Sequence, residues 1–178
     1  MNHVKILGVR SIVLAAFVMT LGAISTVNAD LTIVLFGGMA AVMSAVYGVS
    51  ARVTPGPHQP FVVMMAVISA AVAAVAIIGG VLVGPGLLPW TVLVFGVLMG
   101  LAEIGAALRS NEIPRGDHVV LGGASLMLAL ASLVRPLDQT WLSGTIIGWA
   151  AIGAVLTGIA SVNWKDQIRA KRQEESES

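Results

Sequence analysis

The chain has 178 residues, 57% of them hydrophobic and 11% charged, with a mean hydropathy of +0.92 and a net charge of +1. A soluble domain carries roughly 25% charged residues, so there is too little polar surface here to coat a globule in water. The balanced charge offers no field for nucleic acid, and the lack of cysteine excludes disulfides and thiolate chemistry.

Apolar runs of about 18 or more residues are long enough to cross a bilayer as helices. The chain predicts six of them, at approximately Ser11–Asn28, Leu31–Val49, Phe61–Val83, Leu88–Leu108, His118–Val134 and Trp141–Asn163. The first run follows Lys5 and Arg10 and ends at Val27-Asn28-Ala29, a pattern that also fits a cleavable secretory signal. Its length is that of a full span and exceeds a typical signal core of about 7–15 residues, so residues 1–29 are expected to stay. The second run carries Gly37, Ala41, Ser44 and Gly48 at helical spacing, and the third carries Ala66, Ala70, Ala73 and Ala74. Between them, residues 52–60 hold three prolines, which lack a backbone donor and restrain the residues before them, so this loop is not helical throughout.

Gly84-Pro85-Gly86 makes a short turn into the fourth run, which holds Gly96-x-x-x-Gly100 and then Glu103. Residues 110–117 form a polar loop, and the fifth run stops at Arg135-Pro136. The sixth run opens on Trp141 and carries Gly144-x-x-x-Gly148. Lys165 to Ser178 is basic and then acidic, and reads as a solvated or disordered tail. The expected fold is therefore an all-α integral membrane protein, a compact six-transmembrane-helix bundle in residues 1–164 followed by a polar cytoplasmic tail, 165–178. Short turns arrange the helices as three tandem helical hairpins, the first and third showing weak self-similarity.

Alternation of the six runs places Lys5, Arg10, Arg52, Arg109, Arg115, Lys165, Arg169, Lys171 and Arg172 on one side and Arg135 alone on the other. Basic residues accumulate in cytoplasmic loops, so both termini are expected in the cytoplasm. Trp90, Trp141 and Trp164 fall at helix ends, where amphipathic rings settle at the membrane interface.

Two groups of residues are candidates for function. Small residues let helix backbones approach closely in lipid, where no hydrophobic force drives helices together, so Gly96, Gly100, Gly144 and Gly148 are the expected helix-packing positions. Packing within the bundle is the first reading of these motifs, and self-association through the fourth or sixth helix is the second. Glu103 is the single formally charged residue inside any predicted run. A carboxylate in a span is costly, and it marks either a structural bond or an ion or proton site. About 9 Å separates it from Arg109 at the helix end. Its expected company is a loop arginine, or Ser44, Tyr47 or Thr157. No catalytic triad, phosphate loop, dinucleotide fingerprint or metal spacing occurs, and His3, His58 and His118 are far apart in sequence, so no enzyme, cofactor or metal is expected.

Gly100-Leu-Ala-Glu-Ile-Gly-Ala-Ala-Leu-Arg109, the apolar helix from Val119 to Pro136 and the spaced glycines of Trp141 to Gly158 resemble the HdeD-like family of small bacterial membrane proteins. The first hairpin departs from that pattern, with Asn28-Ala29-Asp30 where a proline would stand. The resemblance implies repeated two-helix units in a bacterial plasma membrane and an association with envelope or acid stress, without a defined molecular activity. Three functions follow as expectations: a non-enzymatic membrane protein acting by helix packing or partner association, a small oligomeric transporter or channel using Glu103, or an accessory subunit of a larger membrane complex. The partners expected are the lipid bilayer and a second copy or a membrane-complex subunit.

Overall fold

Glycine and proline stop the helices where the sequence places turns. In the computed structural model, which describes residues 3–24, 29–53, 59–109, 115–134 and 138–177, the elements are α1 (His3–Ile24), α2 (Ala29–Val53), α3 (Gln59–Leu82), a short 3₁₀ turn (Pro85–Leu87), α4 (Leu88–Arg109), α5 (Arg115–Val134) and α6 (Gln139–Glu177). No strand occurs among the described residues. Gly84 takes φ 91°, a left-handed conformation that costs glycine nothing, and there the chain leaves α3. Pro85 then opens the 3₁₀ turn, where a missing backbone donor does no harm.

Five helices contain apolar windows long enough to cross a membrane, and the apolar part of α5, His118–Val134, is shorter. Counted whole, α5 has 20 residues. Three of these are Arg115, Gly116 and Asp117, so the apolar part rises about 26 Å, at the short end of what crosses a bilayer. The apolar helices identify an integral membrane protein.

Two expected boundaries are corrected. The first helix begins at His3 and not at Ser11, so Arg10 lies inside it and is 8% exposed. A charge marks a helix end only when it has to reach water, and Arg10 has a buried partner instead. The second correction concerns residues 165–177, expected as a solvated or disordered tail, which continue α6 as helix. That segment contains neither glycine nor proline and is rich in Lys, Gln, Arg, Ala and Glu, all good helix formers.

The six helices close into a ring in sequence order, with α6 returning to α1. Packing around the ring is uneven. The closest pairs are α2 with α3, α4 with α5 and α1 with α6, whereas the helices joined by the expected hairpin turns meet along lighter seams. Small residues explain the close pairs. A Cβ on Gly100 would stand 2.9 Å from the Gly122 carbonyl oxygen, so these two backbones touch without side chains between them. The Ser11 hydroxyl donates to the Ala154 carbonyl at 2.7 Å to join α1 to α6, and the Ser44 hydroxyl donates to Ala66 at 2.9 Å to join α2 to α3.

The centre of the ring is filled. Phe36 and Phe95 meet edge-on with centroids 5.4 Å apart, and Phe95 meets Trp149 in the same way at 5.3 Å. Edge-to-face contact is the favoured geometry for aromatic quadrupoles. This column joins α2, α4 and α6 across the axis, with Met43, Met65 and Met99 packed in the same core. The Trp149 indole N–H donates to the Ser125 hydroxyl at 3.0 Å, so the buried ring leaves no unpaired donor.

Candidate functional site

Helix α4 turns Phe95, Met99, Ala102, Glu103 and Ala106 inward, and all are buried. The spacing of three and four residues keeps them on one face. Glu103 thus extends the core stripe toward the end of the bundle, and its side chain is 1% exposed. Helices alternate in direction, so the N-terminal parts of α1 and α5 and the C-terminal parts of α2 and α4 share that end. Each contributes one polar side chain: Arg10, His118, Tyr47 and Glu103.

The carboxylate is engaged on both oxygens. Arg10 Nη2 donates to Glu103 Oε1 at 2.8 Å, and His118 Nδ1 meets Glu103 Oε2 at 2.5 Å. Arg10 sits on α1, across the ring from α4, so its long side chain crosses the interior to reach the acid. Its guanidinium carbon lies 5.0 Å from the Tyr47 ring centroid, a cation–π contact. The Tyr47 hydroxyl and Arg10 Nε are both buried without a hydrogen bond. His118 is the outermost member, with 21% of its side chain exposed.

Ionised groups away from water lose several kcal/mol of hydration each, and they persist inside a protein when paired and hydrogen-bonded. Arginine suits this position because its delocalised guanidinium is weakly hydrated and presents several donors in a plane. His118 contributes a hydrogen bond in either protonation state and a second positive charge when protonated. The cluster therefore ties α1, α4 and α5 together at one end and places the Tyr47 ring of α2 against the tie.

Of the neighbours expected for Glu103, Tyr47 alone joins it. Ser44 is bonded to α3, and Thr157 donates to carbonyls of its own helix at Gly153 and Ala154. The expected loop arginine is replaced by Arg10, while Arg109 lies over the Phe61 ring at 5.6 Å. The Arg115 side chain, like those of His3 and Asp30, falls outside the described residues, as does His58 altogether. Sequence reasoning missed Arg10 and His118 as partners. A usable signal existed: in an alternating six-helix chain, the starts of the first and fifth helices share the depth of the fourth helix's end.

The four glycine positions divide. Gly96 and Gly100 are buried against α5, where a Cβ on Gly96 would lie 2.6 Å from the Ser125 carbonyl oxygen. Gly144 and Gly148 are exposed, and a Cβ on either would meet nothing within 4 Å. The fourth helix therefore uses its motif inside the bundle, and the sixth presents its motif outward.

Among the described residues, no group of three His, Cys, Asp or Glu is gathered where it could hold a metal. Among the described residues, surface grooves lie at the start of α6 beside Trp141 and Gly144, between α3 and α4, and between the facing ends of α2 and α3. None of these three is lined by Arg10, Tyr47, Glu103 or His118. No family model, no curated protein and no solved structure matches the chain.

Proposed function

We propose that the chain is a non-enzymatic integral membrane protein that acts by association, with a second copy or with a membrane partner, and not by moving a solute. The observation that carries this reading is the double engagement of Glu103 by Arg10 and His118 inside the bundle. A carboxylate used in transport has to exchange its partners for an ion or proton, whereas this one is held by three helices at once. The aromatic column along the axis supports the same reading, because a conducting path through the centre would have to displace Phe36, Phe95 and Trp149. The outward Gly144 and Gly148 provide a helix face on which another helix can approach closely.

With this reading goes the resemblance to HdeD-like proteins: a bacterial plasma-membrane location, both ends in the cytoplasm, and a part in envelope or acid-stress tolerance. Retention of residues 1–29 belongs to it as well, since cleavage there would remove Arg10 and leave Glu103 without its arginine. Association predicts that the protein extracted from native membranes in mild detergent runs as a defined assembly, either a homo-oligomer or a complex with a second membrane protein. A solitary monomer at every detergent concentration overturns the proposal.

A second reading, a small transporter or channel working through Glu103, draws on the part-exposed His118, which connects the buried acid to the surface of the bundle. It predicts a proton or cation flux in proteoliposomes that Glu103→Gln abolishes while the protein remains folded. An unchanged flux removes this alternative.

A further inference from the structure

The lighter seam between α3 and α4 opens into a groove of about 400 Å³ on the lipid-facing side. We infer that it binds one acyl chain of a membrane lipid. Its walls are Val67, Ala71 and Val75 on α3 and Trp90, Val94 and Leu98 on α4. The Thr91 hydroxyl, also at the wall, donates to the Leu87 carbonyl of its own helix at 2.8 Å and has no proton left for a ligand. The rest of the lining is hydrocarbon, except for the indole N–H of Trp90 at one end.

The dimensions choose the occupant. From Val67 to Val75, and from Trp90 to Leu98, each wall rises eight residues, or about 12 Å. One leaflet contributes about half of a 30 Å hydrocarbon core, so the groove runs from the interface to near the midplane, the depth of a single acyl chain. The lining contains no glycine at which a second helix backbone could approach closely, so a flexible hydrocarbon chain suits it better than a helix of a second copy. Trp90, 61% exposed, stands at the 3₁₀-turn end, where an amphipathic ring sits at headgroup level above a buried tail. The seam is thus packed by lipid where α2–α3 and α4–α5 are packed by their own small residues. The proposal is independent of what the protein associates with.

The test adds palmitoyl-oleoyl phosphatidylglycerol to the detergent-purified protein and counts retained lipid by native mass spectrometry. Wild type retains one phospholipid per chain. Ala71→Trp, which fills the groove, lowers that occupancy at least tenfold, and Ala74→Trp, on the exposed surface of α3 outside the groove, leaves it unchanged. Thermal melts in the same detergent establish that each variant is folded. Should Ala71→Trp fail to fold, Val94→Phe fills the groove from the other wall and carries the same expectation. The proposal is overturned if wild type retains no lipid, if a folded groove-filling variant retains as much as wild type, or if Ala74→Trp loses as much as Ala71→Trp. It is also overturned if filling the groove dissociates a dimer, which would place a second copy there.

Discussion

Helices α4 and α6 carry the same glycine motif and use it in opposite ways. On α4, Gly96 and Gly100 press against the α5 backbone, while Phe95 and Glu103 on neighbouring turns reach the axis and the charge cluster. On α6, the inward face is given to Trp149, Ile146 and Ala150, and Gly144 and Gly148 are turned out of the bundle. A Gly-x-x-x-Gly motif reports that a backbone can be approached closely; the large residues on the opposite face decide from which side. On α4 the large residues share the interior with the glycines, and on α6 they exclude them from it.

Substitutions can break this contrast, and their expected effects fall in order. Removing the arginine partner of the α4 acid is the largest: Arg10→Ala leaves Glu103 buried with His118 but without its permanent counter-charge, and should cost about 3–5 kcal/mol of stability. A thermal melt in detergent checks it, and Glu103→Gln should cost a comparable amount, because it leaves the buried Arg10 guanidinium, which cannot deprotonate, without its counter-charge. Gly96→Leu comes next, since its Cβ would lie 2.6 Å from a carbonyl oxygen and 2.9 Å from the Ala129 nitrogen. Overpacking of this kind costs about 1–3 kcal/mol and should appear as unfolding at lower denaturant. Trp149→Phe tests the inward face of α6 and should lose about 0.6 kcal/mol for the interhelical hydrogen bond to Ser125, read from the same titration. Gly148→Leu should change monomer stability by less than about 0.5 kcal/mol. Its effect should appear instead in cross-linking yield, because a leucine on the outward face prevents a second helix from approaching closely. If Gly148→Leu destabilises the monomer as much as Gly96→Leu does, the contrast between the two helices fails.

The all-helical, membrane-spanning class was legible in the sequence, whereas the closely packed helix pairs were not. Length and apolarity locate every helix, because hydrocarbon forces each spanning segment to satisfy its own backbone hydrogen bonds. The site was half legible. Glu103 identifies itself as an acid in an apolar run, yet its partners do not, for two reasons. Arg10 looks like the positive flank that precedes a span, and only tertiary structure distinguishes a flank in water from a side chain pointing across the ring. His118 looks like the first residue of a helix at the interface, and its role depends on α5 packing beside α4. The direction of the α6 glycines was hidden as well. Spacing places Gly144 and Gly148 on one face, and the choice of that face is made by Trp149 fitting against Phe95, a contact between residues 54 positions apart.

Helix α1 lies closer to α6 than to α2, the helix that follows it in the chain, with Ser11 bonded to Ala154 and Gly8 facing Ser161. The ring consequently has no structural first member. Joining the end of α6 to the start of α1 and opening the chain in the polar loop between α2 and α3 would give a circular permutant with the same six neighbours and the same Arg10–Glu103 bond. In such a bundle the order of synthesis and the order of packing are separable. The last helix made is the one that closes the circle.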